Sequence, residues 1–318
     1  MNPWFVAFYN TFTTPDFYKS ALEMSAPLML TAIGGLFSEK TGVTNIALEG
    51  IMLMGAFFAV IGSYFFNPYI GVLIAIVVGM AMAALHAWVS IKYAANQIVS
   101  ATAVTLLSYG ITGFLLQKIF GHPGNSPVVD KIPKLVIPGL INVPFIGAIF
   151  GQLSPFVWAA FASVIVAWFV IYKTKLGLRM RVVGENPEAA DSLGVNVYKI
   201  RYFGVIMSGF FAALGGAYLS MNLGQFTEKM TNGRGFIALA AMIFGNWKPK
   251  GIFYATLLFG FAEALNMQLQ SQSILQLSSS VQNLFGMIPY LVTLVAVAGL
   301  VGRSRPPAAS GVPYIKEH

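Results

Sequence analysis

The sequence predicts an all-α, polytopic membrane protein in which about nine helical segments cross or enter the bilayer. Hydrophobic residues make up 57% of the 318 residues and charged residues only 9%, whereas a soluble domain carries about 25% charged residues. The mean hydropathy of +0.72 describes most of the chain rather than one anchor. Lipid is therefore the main solvent of this fold, and the backbone must satisfy its hydrogen bonds within helices. We expect residues 1–318 to form a single transmembrane domain.

Nine apolar runs meet or approach the length of about 20 helical residues that an apolar layer about 30 Å thick requires. In chain order they are Ser20–Phe37, Leu48–Phe66, Pro68–Tyr93, Gln97–Phe120, Pro155–Tyr172, Tyr202–Met221, Phe236–Trp247, Ile252–Gln268 and Phe285–Gly302. Phe236–Trp247 is too short to cross as a straight helix. The polar stretch of residues 38–45 before Leu48–Phe66 predicts a broken or re-entrant segment.

The basic residues predict how the chain is oriented. The formal charge is +8, but the lysines and arginines fall in loops between apolar runs, which argues against a nucleic-acid partner and fits contact with anionic lipid. If the C-terminal tail is cytoplasmic, alternation of the spans places 13 of the 19 basic residues on that side. Cytoplasmic loops carry such an excess. We therefore expect a cytoplasmic C-terminus and an external N-terminus.

Two loops are long enough to carry function. Residues 121–154 are rich in Pro and Gly and face outward in this topology, as a docking site for a partner or as a simple linker. Residues 174–201 form the large cytoplasmic loop, where Asn186 is placed to cap a short helix that starts at Pro187 and ends at Gly194. Such a helix is either a mechanical contact for another subunit or a surface cap on the bundle.

A faint internal repeat is also visible. In each copy a short Ile-Ala-Leu motif precedes a similar series of glycines and a proline. The first copy is Ile46–Leu48 with Gly55, Pro68 and Gly71, and the second is Ile237–Leu239 with Gly245, Pro249 and Gly251. The predicted topology runs the two copies in opposite directions, as in transporters built from inverted repeats. Chance similarity between apolar segments explains so short a match equally well.

The sequence lacks the residue patterns of an enzyme. It contains no cysteine, and its histidines, His86, His122 and His318, have no metal-ligand spacing, so no metal site is expected. No P-loop pattern of Gly, four residues and Gly-Lys-Ser/Thr is present, so the chain does not hydrolyse nucleotide by itself. Any uphill transport would draw its energy from a partner. An intramembrane enzyme is a remote alternative, because no catalytic pair lies at membrane depth.

Polar residues at membrane depth mark a candidate translocation pathway. A carboxylate in the bilayer is costly unless it is paired, hydrated or protonated, so Glu23, Glu49 and Glu263 should face the bundle interior or lie near its ends. The candidate pathway residues are Asn45, Glu49, Asn96, Gln97, Ser100, Asn222, Glu263 and Asn266. For any single one of them, a hydrogen-bonding contact between helices is the favoured explanation. The alternative function from a different class is an ion-gradient carrier or a channel-like protein. In such a protein Glu263 would be the buried acid of a proton relay.

The short cytoplasmic helix carries a resemblance to a known family. Glu188, Ala189 and Ala190, followed after three residues by Gly194, resemble the Glu-Ala-Ala signature by which permeases of ATP-binding-cassette (ABC) importers engage their ATPases. The Ile-x-Leu-Pro that often completes the signature is absent after Ile200, as in the branched-chain amino acid, ribose and nucleoside subclass. Four further stretches look like the second permease of bacterial nucleoside importers: Gly34–Gly50, Asn96–Ser100, Gly233–Ala240 and Gly302–Arg305.

This resemblance implies a transport system of several subunits with a type II ABC importer fold. The implied partners are an ABC ATPase that binds ATP and Mg²⁺, a second homologous permease, and an external substrate-binding lipoprotein, all at the bacterial cytoplasmic membrane. The chain itself would bind no cofactor and would move nucleosides by alternating access. Its contacts with the ATPase would be Pro187, Glu188, Ala189, Ala190 and Gly194. Permeases for riboflavin and simple sugars share much of this pattern.

Overall fold

The computed structural model describes residues 9–271, 287, 291 and 304–316 of the chain. Within these residues the protein is a helical bundle, and seven helices are long and apolar enough to cross a membrane. This architecture confirms the predicted all-α membrane fold. The expected span Phe285–Gly302 lies almost entirely outside the described residues, so the number of about nine segments stays a prediction.

The helices follow one another with short connections except in the 121–154 loop. In chain order they are α1 (Pro15–Glu39), α2 (Leu48–Phe65), α3 (Pro68–Ala87, continued by a π-helical turn, Trp88–Lys92), α4 (Gln97–Phe120), α5 (Ile146–Phe150), α6 (Pro155–Lys173), α7 (Lys175–Glu185), α8 (Pro187–Ser192), α9 (Val197–Leu223), α10 (Arg234–Phe244) and α11 (Pro249–Ser271). Strands β1 (Leu135–Val136) and β2 (Gln152–Leu153) pair antiparallel inside that loop.

Most predicted spans are confirmed, with differences at their ends. The bounds of α4 are those of the predicted run, whereas α1 begins at Pro15 rather than Ser20 and α9 begins at Val197 rather than Tyr202. In α9 the extra turn is polar and capped by Asn196, whose side chain accepts a hydrogen bond from the Lys199 amide. Apolar runs define the lipid-facing part of a helix and omit such capped polar turns.

Helix α9 lies at the centre of the bundle and packs against α1, α2 and α3. Glycines allow these backbones to approach closely: a methyl group added at Gly216 would overlap the carbonyl oxygen of Met52, and one added at Gly55 would overlap Ala213. Small residues at such crossings are typical of membrane helices, which gain stability from close packing rather than from exclusion of water. Helices α3, α4 and α6 instead expose apolar faces, as lipid-contacting helices do.

The predicted break before α2 is present, and a second irregular segment precedes α10. Helix α1 ends at Glu39 and the chain turns through Gly42, which has φ +84°, before α2 begins. Helix α10 has 11 residues, which span about 16 Å, or half of the apolar layer. The predicted run Phe236–Trp247 was therefore correctly judged too short to cross. The helix ends at Phe244 because Asn246 and Trp247 have positive φ.

Both segments of the proposed internal repeat fold in a similar way. In each copy a helix is followed by a tight connection and a second helix that begins at a proline, which is Pro68 in α3 and Pro249 in α11. Proline suits this first helical position because its missing amide proton would have no partner there. The inverted relation between the copies stays a prediction.

Candidate functional site

Residues 174–201, the loop predicted to be cytoplasmic, contain the short helix that the sequence predicts. Helix α8 spans Pro187–Ser192, and the Asn186 side chain accepts a hydrogen bond of 2.9 Å from the Ala189 amide. Gly194 follows the helix with φ +78°, a left-handed conformation that glycine adopts without strain. The capping residue, the initial proline and the terminal glycine are therefore confirmed in their structural roles, while contact with another subunit stays a prediction.

One face of α8 is available to a partner. Glu188 and Ala189 are exposed, Leu193 is 80% exposed, and the space around a side chain added at Gly194 is open. Only Ala190 is buried, and its carbonyl accepts a hydrogen bond from the Val195 amide. A leucine this exposed beside two small residues forms a shallow apolar protrusion. Such a surface fits insertion into a groove of another protein.

The preceding helix α7 packs the loop against the break between α1 and α2. A methyl group at Gly184 would overlap the carbonyl oxygen of Lys40, so the end of α7 lies directly against the break. Burial lowers the pKa of Lys40, an effect that the neighbouring carboxylate of Glu185 opposes and the guanidinium of Arg181 reinforces. The break and the 174–201 loop are thus joined by packing and by charge.

Three of the predicted pathway residues join a polar cluster at the break. The Gln97 side-chain oxygen accepts a hydrogen bond of 2.7 Å from the Thr44 amide. His86 lies 3.1 Å from the Ser100 hydroxyl through Nδ1 and 3.2 Å from the Thr44 carbonyl oxygen through Nε2. The Gln97 amide nitrogen is buried and has no hydrogen-bond partner among the described residues. Side chains of α3 and α4 thereby bond to the backbone of Thr44 and tie both helices to the break.

Asn45 connects the same cluster to the central helix. Its amide nitrogen donates a hydrogen bond of 2.6 Å to the Ser208 hydroxyl, and its side-chain oxygen accepts one from the Ala47 amide. Since Ser208 is near the middle of α9, the break lies inside the bundle rather than at its surface. Irregular backbone at such depth is tolerated only where protein or water surrounds it.

Glu49 joins α2 to the beginning of the half-length helix α10. The carboxylate is fully buried and accepts hydrogen bonds from the Thr231 hydroxyl at 2.6 Å, the Gly233 amide at 2.9 Å and the Gly235 amide at 2.7 Å. The Tyr109 hydroxyl lies 3.4 Å away. A negative charge is favourable there because the first amides of a helix carry a partial positive charge. Glu49 therefore positions the start of α10 within the bundle.

The other two acids at membrane depth are also paired. The Glu263 carboxylate on α11 lies 3.5 Å from the Arg234 guanidinium at the first position of α10, and Glu23 lies 3.0 Å from the Lys134 ammonium. Asn266, one turn beyond Glu263, accepts a hydrogen bond from Gln270 on the same helix. The expectation that all three acids are interior or terminal is met. Glu49 and Glu263 thus both contact the start of α10.

Two predicted pathway residues lie away from the cluster. Asn96 is exposed and caps α4, where its side-chain oxygen accepts hydrogen bonds from the Ile98 and Val99 amides. Asn222 is exposed near the end of α9, beside a cavity of about 370 Å³ that Lys131 and Lys134 also line. The first position is explained by helix capping alone. A pathway role for either residue stays a prediction.

Sequence reasoning missed several members of these clusters. Thr44, Ser208 and Thr231 were not singled out, and His86 was considered only as a metal ligand. His86 has a signal in the sequence, since a lone histidine within an apolar span requires a polar partner. The hydroxyl residues have no such signal, because Ser and Thr at membrane depth usually bond to their own helix backbone.

A comparison with known protein families identifies the class of this molecule. Residues 18–297 match the family described as the permease component of branched-chain amino acid transport systems. The chain belongs to this permease family. It is therefore a multi-span membrane permease and a transport subunit rather than an enzyme, as the sequence had predicted.

Curated relatives of this permease include transporters named for nucleosides and for a sugar. The guanosine ABC transporter permease protein NupQ of Bacillus subtilis is 42% identical, and the nucleoside ABC transporter permease protein NupC of Lactococcus lactis is 40% identical; each match covers 93% of this chain and 95% of the relative. The glucose ABC transporter permease protein TsgB13 of Haloferax volcanii is 29% identical over 80% of this chain and 72% of its own. No solved structure matches the permease.

Proposed function

We propose that this permease imports nucleosides across the bacterial cytoplasmic membrane as one subunit of an ABC importer. The observation that carries the proposal is the identity of 42% to a guanosine permease over 93% of the chain, with a second nucleoside permease at 40%. Both matches include the α8 loop and the segments that form the polar cluster, so the resemblance extends to the parts that would carry out transport.

The energy for transport would enter through α8. In this proposal an ABC ATPase holds ATP and Mg²⁺ and binds the exposed face formed by Glu188, Ala189, Leu193 and Gly194. Residues 174–201 then act as the coupling loop, which requires that this loop and the C-terminus are cytoplasmic. The packing of Gly184 against Lys40 gives the loop a direct mechanical connection to the break between α1 and α2.

A second permease and an external lipoprotein would complete the importer. The guanosine ABC transporter permease protein NupP of Bacillus subtilis is 24% identical to this chain, so one organism contains two relatives named for the same solute. This supports a heterodimer of two homologous permeases. Closure of the ATPases would rock the two halves, and the solute would pass between them by alternating access.

The solute would meet polar groups near the break and the start of α10. Asn45, Gln97 and Ser100 supply amide and hydroxyl groups of the kind that match ribose and base edges. Glu49 and Glu263 hold α10 in place and are themselves engaged by other groups. In this proposal they shape the pathway rather than contact the solute.

Uptake competition in cells tests the solute. Cells that express the complete importer should take up labelled guanosine, and unlabelled uridine or guanosine should compete, whereas ribose, glucose and riboflavin should not. Glu188→Lys should abolish this uptake while solute binding to the lipoprotein is unchanged. Competition by glucose instead of nucleosides would assign the permease to the solute class of the Haloferax relative.

The second candidate function is a gradient-driven carrier. The observation that favours it is the pairing of Glu263 with Arg234, because a buried acid that relays protons requires a neighbouring cation. Purification decides between the two. An ATPase that co-purifies with the permease from a detergent extract supports the importer, and gradient-driven uptake by the lone chain in liposomes would support the carrier.

A further inference from the structure

The C-terminal residues 304–316, here called the C-terminal strap, lie across the ends of several helices. Ala309 donates a hydrogen bond of 2.9 Å to the Gly184 carbonyl oxygen at the end of α7, and the Arg305 amide donates one of 3.0 Å to the Asn246 side chain after α10. The Ala308 amide also lies 3.3 Å from the Glu185 carboxylate. Backbone groups of the strap are therefore engaged by two separate parts of the bundle.

The strap reaches both the break and the coupling helix. The Ser310 hydroxyl lies 3.1 Å from the Thr44 hydroxyl, within the break between α1 and α2. At the other end, the Lys316 ammonium lies 3.1 Å from the Asp191 carboxylate of α8. The strap thus contacts α8, the helix proposed to receive the ATPase. It also contacts Thr44, whose amide and carbonyl bond to Gln97 and His86.

A buried arginine anchors the middle of the strap. Arg201 of α9 is only 2% exposed, its Nη1 donates a hydrogen bond of 3.0 Å to the Val312 carbonyl oxygen, and its guanidinium lies 5.9 Å from the centre of the Tyr314 ring. Among the described residues no carboxylate lies within ion-pair distance of it, and its Nε and Nη2 have no hydrogen-bond partner there. Burial of such a charge is costly, so its neutral partners in the strap are important for holding it.

The composition of the strap suits a semi-rigid connection. Pro306, Pro307 and Pro313 restrict its backbone. Between them the Ser310 amide donates a hydrogen bond to the Pro307 carbonyl oxygen and the Val312 amide donates one to the Ala309 carbonyl oxygen, which closes a turn. Ala309 and Tyr314 are buried against the bundle. A stiff segment held at both ends and in the middle moves with the elements that it contacts.

We propose that the C-terminal strap is a positioning element that fixes α8 to the break between α1 and α2, so that movement of α8 is passed to the polar cluster at Thr44. The proposal rests on the coupling role of α8 proposed above. Without the strap, α8 would remain joined to α7 and α9 by its flanking residues but would lose its bonded connection to Thr44. ATP hydrolysis would then continue with less solute moved.

The direct test removes the strap from the complete importer. The complex with its ATPase and lipoprotein is reconstituted in liposomes, and labelled guanosine uptake and ATP hydrolysis are measured together. Deletion of residues 308–318 should leave hydrolysis in place and lower the uptake per ATP by about fivefold or more, the size of a typical coupling between sites. Deletion of residues 317–318 alone is the matched control and should change neither quantity.

An unchanged uptake per ATP in the shortened chain would overturn the proposal. If the shortened chain is not recovered from membranes, a charge exchange decides instead. Lys316→Asp and Asp191→Lys should each lower the uptake per ATP by about twofold, since an exposed ion pair contributes little, and the double variant should restore it. Lys199→Asp, at an exposed position in the first turn of α9, is the control for the change in charge. No effect of either single variant would overturn the proposal.

The outcomes also separate this proposal from the function on which it rests. A full-length complex that shows no ATP-dependent uptake of guanosine overturns the proposed function and the strap with it. A full-length complex that transports normally, together with strap variants that do the same, overturns the strap alone.

Discussion

The Glu49 carboxylate accepts a hydrogen bond of 2.6 Å from the Thr231 hydroxyl, although 182 residues separate the two in sequence. Thr231 lies in the turn before α10, which begins at Arg234, and the amides of Gly233 and Gly235 donate to the same carboxylate. The half-length helix is thus fixed within the bundle by one acidic side chain from α2. Because three donors already engage this carboxylate, the role that we propose for Glu49 in the pathway is exerted through the position of α10.

Glu49→Gln should destabilise the protein strongly. In glutamine an amide nitrogen replaces one carboxylate oxygen and would face a backbone amide, which is also a donor. At least one hydrogen bond is therefore lost, and two donors then face each other. Hydrogen bonds to charged groups contribute about 1.5–3 kcal/mol each, so we expect a loss of about 3 kcal/mol in the free energy of unfolding. Reversible unfolding in mixed micelles measures it. Thr231→Val removes one hydrogen bond and should cost about half as much. Equal stability of Glu49→Gln and the wild type would refute the conclusion that Glu49 fixes the start of α10.

Gly216→Ala should also be destabilising, because its added methyl group would overlap the Met52 carbonyl oxygen. Forced separation of packed helices costs about 1–3 kcal/mol, and the same unfolding measurement reports it. Gly110 on α4 is the matched control, since nothing lies within 4 Å of an added methyl group there. Gly110→Ala should stabilise the protein by about 0.5–1 kcal/mol, because alanine loses less backbone freedom in a helix than glycine. Similar effects at both positions would contradict the packing described for α9.

Gly194→Trp should abolish uptake without unfolding the permease. The space around Gly194 is open in the isolated chain, so the indole fits there but would block a subunit docked on α8. We expect the purified variant to lose its co-purifying ATPase. Gly194→Asn is the control, since asparagine tolerates the left-handed conformation and is small. It should keep uptake near the wild-type rate, and loss of uptake in both variants would point to backbone strain instead.

The predicted orientation can be tested by labelling single cysteines, because the natural chain contains none. Leu193 is 80% exposed beside α8 and Val128 is 77% exposed in the 121–154 loop. A maleimide that does not cross membranes should label Val128→Cys in intact cells and Leu193→Cys only after the cells are permeabilised. The opposite pattern would place the coupling loop outside and exclude an ATPase contact.

Much of the fold follows from local features of the sequence. The bounds of α4 and the start of α8 agree with prediction, and Asn96 and Asn186 cap these helices. Gly121 with positive φ follows α4 directly, whereas α8 ends at Ser192, two residues before Gly194. The break before α2 is likewise visible as a polar stretch between apolar runs. Each of these features depends on residues that are close together in the chain, so a single sequence is sufficient to predict them.

The arrangement of the candidate site is less predictable. Glu49 was expected to be interior, but its partners Thr231 and Gly233 come from a segment that has no periodic pattern linking it to α2. Arg201 was interpreted only as a cytoplasmic charge, whereas it is buried under the C-terminal strap. Such pairings depend on how whole helices pack, and that information is distributed over the complete chain.

The central claim, that α8 receives the ATPase, is tested most directly by cross-linking in native membranes. Leu193→Cys in this cysteine-free chain, treated with a short thiol-to-amine cross-linker, should join the permease to an ATP-hydrolysing subunit. Val128→Cys should join it to no such protein. A Leu193 adduct that contains no ATPase, although intact importer is present in the same membranes, would contradict the account.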